Sequence, residues 1–467
     1  MKRFTKSFVC IFMAIALAVL SIGCSPAQVE DNHLWVLTDY HPSSLPYKLI
    51  DRVAAAFREQ HPDATVEIES ILTSGEERET VLERVRSQIM AGEGPDVYIM
   101  SWYTPLFSDV EHSMHNGGFQ DITAYYDADD KLQKSRFSQS VMDAGVVDGK
   151  RYILPLYYNI PVLYVDKQQM TDAGLDITAL GTGLSGLSEV VKILGAEALI
   201  AEPAMLYYYL PNMFSSLIDY QKERVVWNSD ELIAFLNDYR NVMTEINGSD
   251  IPYANGTIGT HISHGDYWAQ NGHCVYLGTL TELVQNLRLA KAETTDLAVI
   301  PVKNADGKVC ANVTTYGAVG AGTGSPILAY DFLSKFLLEE NQWADPSEFE
   351  GGAEGGMLTG CWPVLVDGSW SVISDSVWKR ATSVTGSGSE AQARKRALKY
   401  AELEEDDFEV LSSAIDVVYF PVHGGTEYMQ TIIDNLNPYV NPAAGEVAVD
   451  KLAEELTSRM QHHLSEG

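Results

Sequence analysis

Tyr152-Ile153-Leu154-Pro155-Leu156-Tyr157-Tyr158-Asn159-Ile160-Pro161-Val162-Leu163-Tyr164-Val165-Asp166-Lys167 is the stretch from which the fold is read. Two β-rich runs, Tyr152 to Leu154 and Val162 to Val165, flank a segment in which Pro155 and Pro161 each withdraw a backbone donor. One uninterrupted central strand is therefore not expected, and the chain should leave one sheet here and enter another. Tyr157, Tyr158 and Asn159, between the prolines, can stack on and hydrogen-bond a polar ligand if the crossing borders a cleft. Taken alone, the sixteen residues also fit an ordinary strand, proline turn and strand with half-buried tyrosines, so the rest of the chain must decide.

Upstream, Leu34 to Leu37 is a short apolar run within His33–Thr38, as expected of a strand buried on both faces. Leu49, Ile50, Val53, Ala56 and Phe57 then recur at helical spacing up to Gln60, and Pro62 marks the stop. Thr65 to Ile71 alternates apolar and acidic residues as a second strand. Glu79 to Ala91 reads as an amphipathic helix closed by Gly92 and Gly94, and Asp96 to Met100 as a third strand. Strand, helix, strand, helix, strand is the order of a parallel sheet with right-handed crossovers, in which ligands sit beyond the C-terminal ends of the strands. Two of those ends are Asp39-Tyr40-His41 and Ser101-Trp102-Tyr103.

The N-terminus sets the compartment. Lys2, Arg3 and Lys6 precede thirteen apolar residues, Phe8 to Leu20, too few to span a bilayer and therefore read as a secretory signal. Ser21-Ile22-Gly23-Cys24 resembles the lipobox of bacterial lipoproteins, in which the Cys is lipidated and becomes the new N-terminus; it departs in having Ser21 where such boxes carry Leu. The expected layout is a signal peptide over 1–23 and a lipid-anchored tether over 24–32, which places the protein on the extracytoplasmic face of the cell membrane, held by Cys24. Removing residues 1–23 takes away three bases and no acids, so the net charge of -32 becomes -35, which argues against nucleic acid as a partner. Apart from Cys24, the mature chain keeps Cys274, Cys310 and Cys361, an odd number that forms no disulfide framework and at most one bridge.

At this length two lobes are the default, and the ordered motifs resemble a known family. Leu49-Ile50-Asp51 through Ala56-Phe57-Arg58-Glu59-Gln60-His61-Pro62 with Val66-Glu67-Ile68 is similar to the opening of the bacterial family 1 extracellular solute-binding proteins, the group that includes maltose-binding protein. Met90-Ala91-Gly92-Glu93-Gly94-Pro95-Asp96-Val97 resembles their helix, Gly-x-x-Pro-Asp and strand. Asp148 to Pro155 and Leu163 to Lys167, followed by Ala173-Gly174-Leu175, resemble their crossing segment, with Val165-Asp166-Lys167 where a typical member has Tyr-Asn-Lys. Fainter echoes follow at Val226 to Ser229, Asn271 to Gly278 and Leu297 to Pro301. The resemblance implies an α/β, two-lobed, periplasmic-binding-protein-like type II fold, each lobe a mostly parallel sheet flanked by helices. It implies lobes discontinuous in sequence, 33–153 plus 278–340 and 156–276 plus 341–467, with a second crossing near Tyr276-Leu277-Gly278.

A sugar offers an apolar ring face and many hydroxyls, so its site needs aromatic plates and fixed polar groups that a closing cleft can desolvate. Asp39, Tyr40, Trp102, Tyr103, Tyr157, Asn159 and Trp362 occupy strand ends, the crossing, or Gly360-Cys361-Trp362-Pro363, and are the expected ligand residues. Tyr207-Tyr208-Tyr209 and Trp227 read as core of the second lobe. Neither His112 with His115, read as a helix surface, nor His462-His463 has zinc-ligand company, and Asp127-Ala128-Asp129-Asp130 lacks the Gly and closing Glu of a calcium loop. The glycine-rich 351–356 lacks the Lys-Ser/Thr of a phosphate loop. No metal or cofactor is expected.

The family implies a lipid-anchored, monomeric receptor that captures a small polar ligand, a carbohydrate by family, between its lobes and delivers it to the permease of an ABC importer, without catalysing a reaction. Two alternatives share the residues: a secreted carbohydrate-active enzyme, since carboxylates are plentiful although no nucleophile elbow or zinc-protease helix occurs, and a sensory lipoprotein of the same fold.

Overall fold

The computed structural model describes residues 32–71, 76–101, 104–107, 109–195, 198–200, 218–248, 274–280, 286–287, 290–291, 295–304, 306–344, 348–349, 361–365, 418–423, 435–436 and 448–466. Its opening follows the sequence pattern. β1 (His33–Thr38) lies between β2 (Thr65–Ser70) and β3 (Val97–Ser101), parallel to both. Leu34, Val36 and Leu37 of β1 are fully buried, as a strand covered on both faces requires. β2 is the edge, and there Val66 is buried while the residues on either side face outward.

The helix between β1 and β2, α1 (Leu45–Gln60), begins earlier than the apolar spacing alone suggests. Ser44 caps it by accepting from the Tyr47 amide at 3.4 Å, and Pro46 sits in the first turn, where its missing N–H costs nothing. Leu49, Ile50, Val53, Ala54 and Phe57 form its buried face, and Phe57 meets Phe332 edge-on at 5.3 Å. α2 (Glu76–Ala91) ends where Gly92 turns left-handed at φ 76°.

Among the described residues the strands build two larger sheets and two two-stranded hairpins. The first has seven strands: β10 (Trp362–Pro363), β4 (Ile153–Asn159), β9 (Val309–Val319), β3, β1 and β2 in that spatial order, with β11 (Val418–His423) also paired to β9. The second has four, in the order β8 (Leu297–Pro301), β5 (Pro161–Asp166), β7 (Val275–Thr279) and β6 (Leu199–Ile200). The chain passes from the first to the second through Ile160 alone.

Pro155 lies inside β4, a strand with neighbours on both sides, although two prolines were expected to keep the segment out of one continuous strand. The ladder accommodates it with a register shift: Tyr316 faces Pro155, while the adjacent Thr315 faces Tyr157, so β4 carries an extra residue where its proline cannot donate. Pro161 opens β5, a position proline tolerates.

Both sheets are mixed, whereas mostly parallel ones were expected. β9 runs antiparallel to β3 and β4. β5 runs antiparallel to both β7 and β8. The stretch Tyr276–Gly278, where a second crossing was expected, is the middle of β7 and pairs throughout with β5. β8 also pairs with β5, so the chain returns to the first sheet between Pro301 and Val309. Trp362 and Pro363 pair with Tyr158 and Tyr157 of β4, which places them in the first sheet and not with the second-lobe residues.

Helices cover the second sheet. α4 (Ser185–Leu194) and α5 (Ser229–Gly248) are joined by Asn241 Nδ2 donating to Ser188 Oγ at 3.4 Å. The last helix, α7 (Val449–Glu466), accepts the indole N–H of Trp227 on Thr457 Oγ1 at 2.9 Å, and Trp227 is buried. α6 (Pro326–Ser334) follows β9 and brings Phe332 to Phe57.

Candidate functional site

Parallel strands place their C-terminal ends together, and here those of β1 and β3 carry polar groups. Asp39, half-buried just past β1, accepts from the Ser101 amide at 2.9 Å and from the Ser101 hydroxyl at 2.5 Å. Tyr40 beside it shares a hydrogen bond of 2.6 Å with Thr315 Oγ1 at the middle of β9, and its own carbonyl accepts from Ser70 Oγ at 2.6 Å. Thr315 stands directly across from Ser101 on one side and Tyr157 on the other, so β1, β3, β9 and β4 meet at one spot. Trp362, next in line, faces Tyr158.

Burial dominates the electrostatics. Desolvation pushes the Asp39 carboxyl up to about 6, against the opposing pull of the two Ser101 hydrogen bonds and the more distant Arg78 charge. Burial and then the Asp39 charge hold the Tyr40 hydroxyl well above the usual phenol range, and the same two causes act on Tyr316. The half-buried Cys361 thiol is pushed up to about 11 by burial, against a hydrogen bond with Thr314.

Among the described residues, Asn159 Oδ1, the Tyr316 hydroxyl and Trp362 Nε1 are buried with no hydrogen-bond partner. Leaving such a group unmade costs about 1–3 kcal/mol each. Three of them along adjoining strands β4, β9 and β10 are the kind of acceptor and donors that ligand hydroxyls or ordered water satisfy.

Of the seven ligand residues expected from sequence, the structure brings Asp39, Tyr40, Tyr157, Asn159 and Trp362 to this junction. Tyr157 is 3% exposed and donates its hydroxyl to the Asn341 carbonyl at 3.2 Å, so its phenol is held in the core and only its strand position borders the site. Trp362 is likewise 3% exposed. Trp102, Tyr103 and the lipid-attachment residue Cys24 lie outside the described residues, as do Tyr207, Tyr208 and Tyr209.

Sequence reasoning missed Ser101, Thr315 and Tyr316. A signal was present: Asn312, Thr314 and Thr315 are polar residues on both faces of an otherwise apolar strand, Val309–Val319, and all three are buried. Polar pairs in the middle of a central strand ask for a partner from outside the sheet.

A separate groove of about 490 Å3 lies between α1 and residues 335–348. Its cations are already engaged: Arg52 donates to Glu348 Oε2 at 2.7 Å and to the Glu340 carbonyl at 2.7 Å, and Lys335 to Gln60 Oε1 at 2.7 Å. It contains none of the expected ligand residues.

Residues 41–192 match the family model described as bacterial extracellular solute-binding protein. The three strongest motifs, those around Leu49–Ile68, Met90–Val97 and Asp148–Leu175, all fall inside that match, and the resemblance to the family 1 proteins holds across it. Among solved structures the chain is similar to the sugar-binding protein MalE of Xanthomonas citri, at 14% identity over 93% of this chain and 98% of that one, with a TM-score of 0.58. It is also similar to a periplasmic oligogalacturonide binding protein of Yersinia enterocolitica, at 15% identity over 93% and 99% with a TM-score of 0.55. An ABC substrate-binding protein of Listeria monocytogenes in complex with cycloalternan gives 13%, 93%, 99% and 0.54. No curated protein sequence matches. At these identities the likeness is one of fold, and the fold is the type II periplasmic-binding-protein-like one.

Proposed function

We propose that this chain is an extracytoplasmic receptor that captures a carbohydrate between its two lobes and delivers it, unaltered, to an ABC importer. One observation carries the reading. Within a chain that matches the solute-binding family over residues 41–192, the strand ends next to the β4–β5 passage gather a desolvated carboxylate, hydroxyls and an indole with polar atoms still unpaired. The relatives in complex with cycloalternan or binding oligogalacturonide support a saccharide as the ligand class.

In this reading the seven-stranded sheet and its helices form one lobe and the four-stranded sheet the other. Ile160 and the stretch between Pro301 and Val309 are the connections about which they close. Asp39 accepts from sugar hydroxyls, and Tyr40 is held in place by Thr315. Asn159 Oδ1 accepts and Trp362 Nε1 donates, and Trp102 and Tyr103, which follow β3 in the sequence, are the proposed aromatic plates. Lipidation at Cys24 tethers the receptor to the outer face of the membrane. The chain works as a monomer with the permease as its partner.

The test is a thermal-shift panel of neutral and acidic oligosaccharides on the mature chain, followed by calorimetry on the saccharide giving the largest shift. The expected result is one class of saccharide that stabilises the protein and is recovered intact, with affinity reduced tenfold or more in Asp39→Ala. Hydrolysis or other turnover of the saccharide would refute the receptor reading. An affinity within twofold of wild type in Asp39→Ala would refute the site.

A further inference from the structure

Away from the junction of β1, β3, β4 and β9, the two halves touch through a second set of contacts. On the side of the first sheet stand α3 (Val110–His115) and the hairpin Val146–Arg151. α3 is anchored there by buried Val110 and Met114, and Phe107 and Phe119, which bracket it, pack edge-on against Tyr98 of β3 at 5.3 and 5.8 Å. On the other side stands the hairpin Ile218–Val225. It is tied to α7, because the Val225 amide donates to Gln461 Oε1 at 3.1 Å and Gln461 Nε2 donates to the Glu223 carbonyl at 2.6 Å.

The tips meet in specific polar contacts. Tyr220 donates its hydroxyl to Asp109 Oδ2 at 2.5 Å, while the other oxygen of Asp109 caps α3 by accepting from the His112 amide at 3.0 Å. The rings of Tyr220 and His115 stack at 5.6 Å and 19°. Gln221 Nε2 donates to Asp148 Oδ1 at 3.0 Å, and Asp148 Oδ2 lies 4.0 Å from His115 Nδ1. His112, expected on the helix surface, is buried, and His115 is half-buried.

A second observation singles out the same place. Among the described residues, only Asp148 and Glu223 adopt a left-handed backbone without being glycine, at φ 51° and 48°. They sit at the two opposing hairpin tips. Asp148 with Gly149, at φ 51° and 75°, forms the two-residue turn that Asp-Gly favours in a hairpin, which sets Asp148 at the tip. Two facing hairpin tips, each set by its own tight turn and joined by complementary donors and acceptors and a ring stack, amount to more than incidental surface contact.

We propose that the Tyr220 hairpin and the Asp109–Asp148 face form a clasp that sets the balance between conformers of the two lobes, without touching the ligand. Each of these contacts needs the two halves in one relative arrangement, so the clasp favours that arrangement over any in which the tips are parted. A receptor of this kind can have its affinity tuned from outside its binding residues, because any shift in the starting population changes the apparent affinity by the same factor.

The proposal does not depend on what the ligand is, and neither does its test. Small-angle X-ray scattering and amide hydrogen exchange are measured on the mature, ligand-free chain for wild type, Tyr220→Phe and Asp148→Gly. The first variant removes one hydroxyl. The second removes the acceptor for Gln221 and keeps the turn, since Gly adopts a positive φ freely, so it is expected to fold. Loss of one such hydrogen bond lowers the population of the clasped conformer about two- to tenfold. Both variants are expected to show faster exchange over residues 218–225 and a radius of gyration displaced from wild type. Faster local exchange with unchanged scattering in either variant, or wild-type behaviour in both readouts, overturns the proposal.

Discussion

Replacing Asp39 by Asn should make the protein more stable at neutral pH, an outcome contrary to the usual cost of altering a hydrogen-bonded buried residue. Burial raises the folded-state pKa of Asp39 from 3.8 to about 6. Between those values the folded protein holds a proton that the unfolded chain has released, so stability falls as pH rises through the window. Above it the ionised carboxylate costs the fold about two pKa units, each worth about 1.4 kcal/mol, which gives at most about 3 kcal/mol. Because the residue is only half-buried, solvent reduces this, and about 1–3 kcal/mol is the expected gain from Asn at pH 7.5. Asn keeps an oxygen for the Ser101 amide, and the Ser101 hydroxyl can turn from donor to acceptor toward the new NH2. At pH 4 both side chains are neutral in the folded state, and the difference should shrink below about 0.5 kcal/mol. Urea unfolding followed by tryptophan fluorescence at pH 4, 6 and 7.5 measures this directly. An Asn variant less stable than wild type at pH 7.5, or a difference that does not change with pH, would refute the reasoning. The same variant should bind the saccharide more weakly, which would place the desolvated charge on the functional side of a stability trade-off.

Further outcomes follow from other sites. The Glu111 carboxyl is pushed up to about 7 by burial and the adjacent Asp109, so Glu111→Gln should also be stabilising at pH 8, with the gain vanishing as pH falls toward 4.5, read by the same unfolding assay. Gly320→Ala would set a Cβ 2.0 Å from the Pro95 carbonyl oxygen, a backbone atom that cannot swing aside, and should lose about 1–3 kcal/mol or more by chemical denaturation. With its pKa at about 11, Cys361 should react with iodoacetamide at pH 8 about a hundredfold more slowly than an ordinary exposed thiol. Peptide mass spectrometry follows that reaction, and added saccharide should slow it further; alkylation at the rate of a free cysteine would show that the thiol is not in the desolvated junction.

The opening of the chain was legible because its signals are local. β1, α1, β2, α2 and β3 appear in the expected order, since apolar spacing, Ser44 with Pro46, and the Gly92 stop are each read within one turn or strand. The hinge was legible in place but not in form. A proline inside a central strand is excluded by its own chemistry, and what admits it, the register shift opposite Thr315 and Tyr316, is supplied by a strand more than 150 residues away. The pairing around the expected second crossing was not legible for a similar reason: β7 and β8 look like any apolar strands, and nothing in their sequence says that both pair with β5. Asp39 and Tyr40 could be found because strand ends of a parallel sheet are where ligands sit. For Ser101, Thr315 and Tyr316 the polar residues within the apolar run 309–319 were the one signal, and it does not give their roles, which depend on which strand lies next to β3.

That neighbour is β9, and its lateness in the chain has a kinetic meaning. Val97 pairs with Val319, so the middle of the first sheet stays open until more than two-thirds of the polypeptide has been made. Contacts of such long range close slowly against chain entropy. Meanwhile β3 presents an unpaired apolar rim, which is a template for wrong partners. Newly synthesised protein should therefore depend on holdase assistance far more than its finished core would suggest.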